Sequence, residues 1–147
     1  MPADSATLVL RKTSDYGAMR SLALRAGLED GNFEGYDASF GYFVEDILVG
    51  CAALKNKEGM FTVECLAVSE EYRRRGLGRS LIGMVEAEAV ARGANQIWAL
   101  ARAPGFFMKN GYREMDPDLP GGPSMKGCGT CPQFNNTCRP AIVMKML

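Results

Sequence analysis

Residues 63–80 decide the fold: Val63-Glu64-Cys65-Leu66-Ala67-Val68, then Ser69-Glu70-Glu71-Tyr72, then Arg73-Arg74-Arg75-Gly76-Leu77-Gly78-Arg79-Ser80. The first block belongs to an apolar, β-rich run over 60–68, which predicts a strand. After the last block, Leu77, Leu81, Met84, Val85 and Ala89 recur at helical spacing and Gly93 supplies a stop, which predicts a helix over 78–92. A strand followed by a basic, glycine-containing turn and a helix is a physical arrangement for anions. The first amides of a helix have no intrahelical partner, glycines let a ligand approach them, and arginines add charge. The spacing excludes the two familiar nucleotide loops. GxxxxGK[ST] is absent; in a GxGxxG reading the third glycine is replaced by Leu81, and Ser69 to Arg75 stand between strand and glycine. The competing reading is a basic turn that only starts a helix.

Upstream, 7–11 read as a strand, 14–27 as a helix capped by Ser14 or Asp15, and 28–38 as a loop. Residues 39–44 and 47–54 flank Glu45-Asp46 as a hairpin, and 55–59 form a polar turn before the 60–68 strand. Downstream, 96–100 read as a strand and Pro104 opens a short helix closed by Gly111. Tyr112 and Arg113 start another strand, and 141–146 form the last. Residues 116–140 are rich in Cys, Gly and Pro and show no periodicity. The order β-α-β-β-β-α-β-α-β-β is that of an α/β domain with a mixed sheet flanked by helices. One domain over 1–147 suits a chain of 147 residues.

Composition narrows the function. Lys+Arg and Asp+Glu both number 17, so the net charge is zero and nucleic acid or an anionic membrane is not expected as a partner. No apolar run approaches the ~18 residues of a membrane span, and the start lacks the pattern of a secretory signal, so a soluble, cytoplasmic protein is expected. The chain has no His. Every histidine triad, base or metal ligand is therefore excluded, and proton transfer falls to Glu, Asp, Tyr, Cys, Lys or water.

The strand VECLAV, the acidic turn, R-x-x-G-x-G and the amphipathic helix resemble motif A of the GNAT acetyltransferase superfamily. IWAL (97–100) and FFMKNGY (106–112) resemble its next motif. The resemblance covers about residues 7–113 in element order. It implies a GNAT fold with splayed central strands and acetyl-CoA as cosubstrate. Arg73, Arg74, Arg75, Gly76, Leu77 and Gly78, continued by Arg79 and Ser80, would hold the pyrophosphate, with the glycines permitting its approach. The pantetheine arm would lie between strands 60–68 and 96–100 on backbone groups of Leu66, Ala67 and Val68. The Leu66 N–H would polarise the acetyl carbonyl, and the acceptor amine would attack the thioester directly.

Strand parity places Glu64 on one face with Thr62, Leu66 and Val68, beside the expected cleft. It is the candidate general base; otherwise it is a solvated carboxylate or only orients the amine. Relatives carry a Tyr acid where Phe107 stands, so that acid is missing and Phe107 is expected only as a cofactor contact. Tyr112 is expected in the core. Arg102 is a candidate for the carboxylate of an amino-acid acceptor, against a surface role. Phe33, Tyr36, Phe40 and Tyr42 are candidate walls of the acceptor pocket.

Cys51 and Cys65 lie in apolar strands and read as structural thiols. Cys128, Cys131 and Cys138 form C-x2-C-x6-C, for which a metal, a reversible Cys128–Cys131 disulfide or no cofactor are the alternatives. The fourth ligand that a tetrahedral zinc site needs is not visible, which weighs against a metal. The ending Cys138-Arg139-Pro140 to Lys145 resembles a subgroup of short amino-acid and arsenic-operon-associated acetyltransferases. The expectation is an N-acetyltransferase, monomeric or homodimeric, acting on a small-molecule amine such as an amino acid. The alternatives are a protein N-terminal or lysine acetyltransferase, or a CoA-binding sensor without chemistry.

Overall fold

Among the described residues, seven strands form one sheet in the order β1-β2-β3-β4-β5-β7-β6. They are β1 (Val9–Lys12), β2 (Ala38–Val44), β3 (Ile47–Lys57), β4 (Met60–Val68), β5 (Gln96–Ala101), β6 (Arg113–Met115) and β7 (Ala141–Met146). The helices are α1 (Tyr16–Arg25), α2 (Leu77–Ala91) and α3 (Pro104–Lys109). A computed structural model of the chain describes residues 7–26, 35–101, 104–116 and 141–147. The element order is the expected one. All strand pairs are antiparallel except β4 with β5, which run parallel.

Helix α1 starts where Asp15 accepts a hydrogen bond from the Ala18 amide at 3.1 Å, and it buries Met19, Leu22 and Ala23. Helix α2 buries Leu77, Leu81, Ile82, Val85 and Ala89. The two helices cover opposite faces of the sheet. Leu81, Ile82 and Val85 pack with Ala52, Leu54, Phe61 and Val63. Met19 and Leu22 pack with Cys51, Ala53 and Ala67. Trp98, Ile142 and Met144 form a smaller cluster on β5 and β7. Tyr112 is buried in the core, as expected, and its hydroxyl donates to Glu86 at 2.8 Å. Lys145 also donates to Glu86, at 3.1 Å, so one carboxylate joins α2, β7 and the residue preceding β6.

β3 is longer than its sequence suggests. Lys55, Asn56 and Lys57 pair with Thr62, Phe61 and Met60, which leaves Glu58-Gly59 as the turn. Both turn residues have positive φ, as a right-twisted hairpin requires. The β2–β3 hairpin meets the same demand at Glu45 (φ 49°) and Asp46 (φ 65°), neither of which is glycine. Left-handed backbone costs an ordinary residue about 1 kcal/mol or more. The nearby Arg11–Asp46 pair is long, at 3.9 Å, and largely exposed, so it offsets little of that cost. Replacing the pair by Asn-Gly (Glu45→Asn with Asp46→Gly) is expected to raise unfolding stability by about 1 kcal/mol. A denaturation midpoint no higher than that of the parent would show that this turn holds no strain.

Candidate active site

The site begins where two neighbouring strands part. Among the described residues, the one registered pair between β4 and β5 is Thr62 with Trp98. Beyond that pair, towards the C-terminal ends, no residue from Glu64 to Val68 is registered with β5. This is the splay that the family resemblance implies. β4 stays fastened on its other side, with Ala67 opposite Cys51 and Val68 opposite Gly50.

A bulge interrupts that fastening. Ala53 pairs with Glu64 and Cys51 with Ala67, so Cys65 and Leu66 together oppose the single residue Ala52. Cys65 has φ 53°, the left-handed region. The extra residue reverses the side-chain alternation. Glu64 therefore shares the α1 face with its partner Ala53, while Leu66 and Val68 pack against the cluster beneath α2. The expected common face of Glu64 with Leu66 and Val68 is corrected here: Glu64 shares a face with Thr62 but not with the two residues beyond the bulge. The Thr62 hydroxyl donates to the Lys55 carbonyl at 3.4 Å.

Glu64 is half-buried. Burial holds its carboxyl above the ordinary carboxylate range, and Lys55 and then Lys57 offset part of that shift. Tyr36 stands beside it: its hydroxyl bonds the Cys65 sulfur, and burial, the largest cause, pushes its ionisation upward. Its ring meets Tyr16 edge-on at 5.7 Å. Of the expected pocket aromatics among the described residues, Tyr36 is the one near Glu64. Phe40 lies in the core under α2, Tyr42 packs at that core's margin, and Phe33 lies outside the described residues.

The glycine turn lies between β4 and α2. A short 3-10 turn over Glu70–Tyr72 leads into it, and the Arg73 side chain folds back so that its Nε donates to the Val68 carbonyl at 3.1 Å. That contact ties the turn to the end of β4. Arg74 (φ 65°) and Gly76 (φ 80°) adopt left-handed backbone, a conformation that brings successive amides to one side. Gly76 precedes α2 with no side chain capping the helix. Leu77 is anchored with Val44 and Val49, so it contributes backbone alone. Arg74, Arg75, Arg79 and Ser80 are exposed, and the Arg75 guanidinium lies over the Tyr72 ring at 5.1 Å.

The two glycines have different duties. A Cβ on Gly76 would meet nothing within 4 Å, so open space adjoins the backbone there. A Cβ on Gly78 would stand 3.2 Å from the Phe106 ring, so Gly78 is small to accommodate protein, not only ligand. Phe106 is thus the ring at the glycine turn. Phe107, expected at the cofactor, is instead buried in the core, edge-on to Phe106 and to Tyr112.

Beside the first turns of α2, Arg79, Glu86, Lys109, Asn110 and Lys145 line a hollow of about 250 Å³. Arg102, Cys128, Cys131 and Cys138 lie outside the described residues. Sequence reading did not single out the Cys65 bulge, the pairing of Cys65 with Tyr36, or Lys55 and Lys57. A bulge depends on the register of two strands, and no local residue pattern here announces it. No helix among the described residues is long and apolar enough to cross a membrane.

Comparison with known proteins agrees with this geometry. The model of the acetyltransferase (GNAT) domain matches residues 38–114. An uncharacterized N-acetyltransferase of Chlorobaculum tepidum is 32% identical over 100 residues, which cover 63% of this chain and 62% of that protein. The chain thus spans less than two thirds of that relative. The N-acetylglutamate synthase of Neisseria gonorrhoeae, solved with coenzyme A and N-acetyl-glutamate, superposes with a TM-score of 0.73 at 21% identity. That match covers 97% of this chain and 36% of the synthase. The ribosomal-protein-S18-alanine N-acetyltransferase of Escherichia coli superposes with a TM-score of 0.69 at 19% identity, over 95% of this chain and 94% of that one. These likenesses show the fold, and the domain match spans more than half of the residues and takes in the parted strands, the glycine turn and α2: the chain belongs to the GNAT acetyltransferase family.

Proposed function

We propose that this chain is an acetyl-CoA-dependent N-acetyltransferase whose acceptor is the amine of a small molecule, an amino acid or analogue. The observation that carries the reading is a conjunction. A strand edge with no registered partner among the described residues, a helix start without a side-chain cap and a half-buried carboxylate all sit within the short stretch from Glu64 to Gly78.

Bound acetyl-CoA supplies an activated thioester carbonyl. Backbone amides of the turn through Gly76, Leu77 and Gly78, with Arg74, Arg75 and Arg79, would hold its phosphates. Arg73 keeps the turn in place through its bond to β4. The β4 edge at Leu66, Ala67 and Val68 would bind the pantetheine amides as an added strand would, and the Leu66 N–H at the bulge would donate to the carbonyl oxygen. Glu64 would take a proton from the acceptor ammonium, directly or through one water. Lys55 and Lys57, which act on Glu64 electrostatically, favour an acceptor that also carries a carboxylate. Phe107 cannot act as an acid, and a thiolate with an ordinary pKa of ~8.5 leaves tolerably near neutral pH without one.

Thiol release from acetyl-CoA, measured over a panel of free amino acids, simple amines and peptides, tests the acceptor class. Turnover with free amino acids is expected. Turnover confined to peptides would replace the reading by protein acetylation, and CoA binding without turnover would replace it by a sensor.

Reversing two charges, Arg75→Glu with Arg79→Glu, is expected to weaken acetyl-CoA binding by about tenfold or more while circular dichroism stays unchanged. Unaltered affinity in calorimetry would remove the turn from the cofactor site.

Glu64→Gln should lower kcat by ~10²–10⁴ if the carboxylate is the base. The acidic limb of kcat/KM in the parent should lie above the ordinary Glu range, because burial favours the protonated form. The same shift predicts the opposite effect on stability. A carboxyl whose pKa is raised by folding binds its proton more tightly in the native state, so its charge weighs against folding above the native pKa. Glu64→Gln should therefore raise the melting temperature at neutral pH, with the gain shrinking as pH falls through the Glu range. A melting temperature unchanged at both pH values would contradict the buried charge.

A further inference from the structure

Cys51 and Cys65 lie on adjacent strands with their sulfurs 3.9 Å apart. Cys51 is completely buried, while Cys65 is half-buried on the α1 face beside Glu64 and Tyr36. The Cys51 thiol also donates to the Cys65 carbonyl at 3.3 Å, which holds the backbone of the bulge. The Tyr36 hydroxyl adjoins the Cys65 sulfur and acts on its ionisation. The Cys51 thiol, whose single proton can turn from the Cys65 carbonyl to the Cys65 sulfur 3.9 Å away, and the Tyr36 hydroxyl hold the Cys65 thiol below the ordinary range against the effect of burial, with the Cys51 contact the larger. Cys51, whose hydrogen bond to Cys65 and burial both favour the neutral form, is pushed well above its usual value. One thiol is suited to react first and the other to follow. The proposed acetyl transfer uses neither sulfur.

We propose that Cys65 and Cys51 form an oxidation site, at which a hydroperoxide oxidises Cys65 and Cys51 then closes a disulfide across β3 and β4 at the bulge. The Cys65 thiolate attacks the hydroperoxide, the O–O bond breaks, and the departing alkoxide or hydroxide takes up the thiol proton. Cys65 is left as a sulfenic acid. The Cys51 sulfur attacks the Cys65 sulfur, the S–S bond forms, the S–OH bond breaks, and the leaving hydroxide takes the Cys51 proton as water. The two thiols lose two electrons and the hydroperoxide gains them.

Closure brings the sulfurs from 3.9 Å to about 2.05 Å. It also removes the thiol proton that Cys51 gives to the Cys65 carbonyl, so the bulge loses its hydrogen bond as it is drawn towards β3. Leu66, whose amide is the proposed carbonyl donor, is the next residue along. This effect on catalysis rests on the proposed acetyltransferase reading; the sulfur chemistry does not.

The test is peptide mapping without reductant after brief treatment with hydrogen peroxide, with free thiols blocked. The expected product is a linked peptide pair containing Cys51 and Cys65, two hydrogens lighter than the reduced pair and separated by dithiothreitol. In Cys51→Ser the linked pair should vanish and dimedone should label Cys65. In Tyr36→Phe oxidation of Cys65 should slow by about threefold or more, as one of its donors is lost. Recovery of both thiols unmodified, in wild-type protein under conditions that oxidise a small free thiol, would overturn the proposal, and this arm needs no variant to fold. Acetylation of the best acceptor should fall by about tenfold or more on linkage and return with dithiothreitol. Full activity of the linked protein would overturn the coupling to the cleft. A protein that links but acetylates nothing in either state would instead overturn the acetyltransferase reading and leave the thiol chemistry standing.

Discussion

One backbone constraint organises the molecule: β4 cannot satisfy both of its neighbours along its whole length. It pairs with β3 through to Val68, but with β5 it registers only at Thr62. A buried strand edge with open amides and carbonyls is costly unless something pairs with it. The opening is kept from collapsing because both lips are built into solid cores. Phe61 and Val63 lie under α2, and Ala99 and Ala101 join the same cluster. The sheet is therefore well packed on either side of the place where β4 and β5 lose register.

The bulge within β4 redirects its side chains. It changes which face the strand presents between Glu64 and Leu66, so these two side chains, two residues apart, lie on opposite faces of the sheet. Local strain at Cys65 is sustained by specific contacts, the Cys51 thiol on its carbonyl and the Tyr36 hydroxyl on its sulfur. Non-glycine residues in left-handed backbone commonly mark such working positions, because ordinary packing gives no reason to keep them.

Much of the architecture was legible in residue order. Periodicity placed the two long helices, Glu45-Asp46 located the first hairpin, and the glycine turn marked the start of α2. These features depend on near neighbours in the chain. The misreadings share the opposite property. Glu64 was set on the wrong face relative to Leu66 because strand parity assumes no inserted residue. Phe107 was expected at the cofactor but is buried in the core, and Phe106 is the ring against Gly78, because two adjacent aromatics on a short helix differ only in which way the helix is rolled. Gly78 was read as making room for a ligand when it also makes room for Phe106. Lys55 and Lys57 looked like parts of a polar turn until pairing with β4 brought them to Glu64.

The Glu86 carboxylate has a consequence for the chain's capacity to vary. It accepts from Tyr112, which immediately precedes β6, and from Lys145 in β7, while Arg113, Glu114 and Met115 pair with Met144, Val143 and Ile142. β6 and β7 are thus held side by side and bolted to the same helix. Closure entropy between two ends fixed in this way grows only with the logarithm of the number of residues joining them, so the fold constrains the sequence distance from β6 to β7 only weakly. That spacing can change while α2, the glycine turn and the parted strands keep their places.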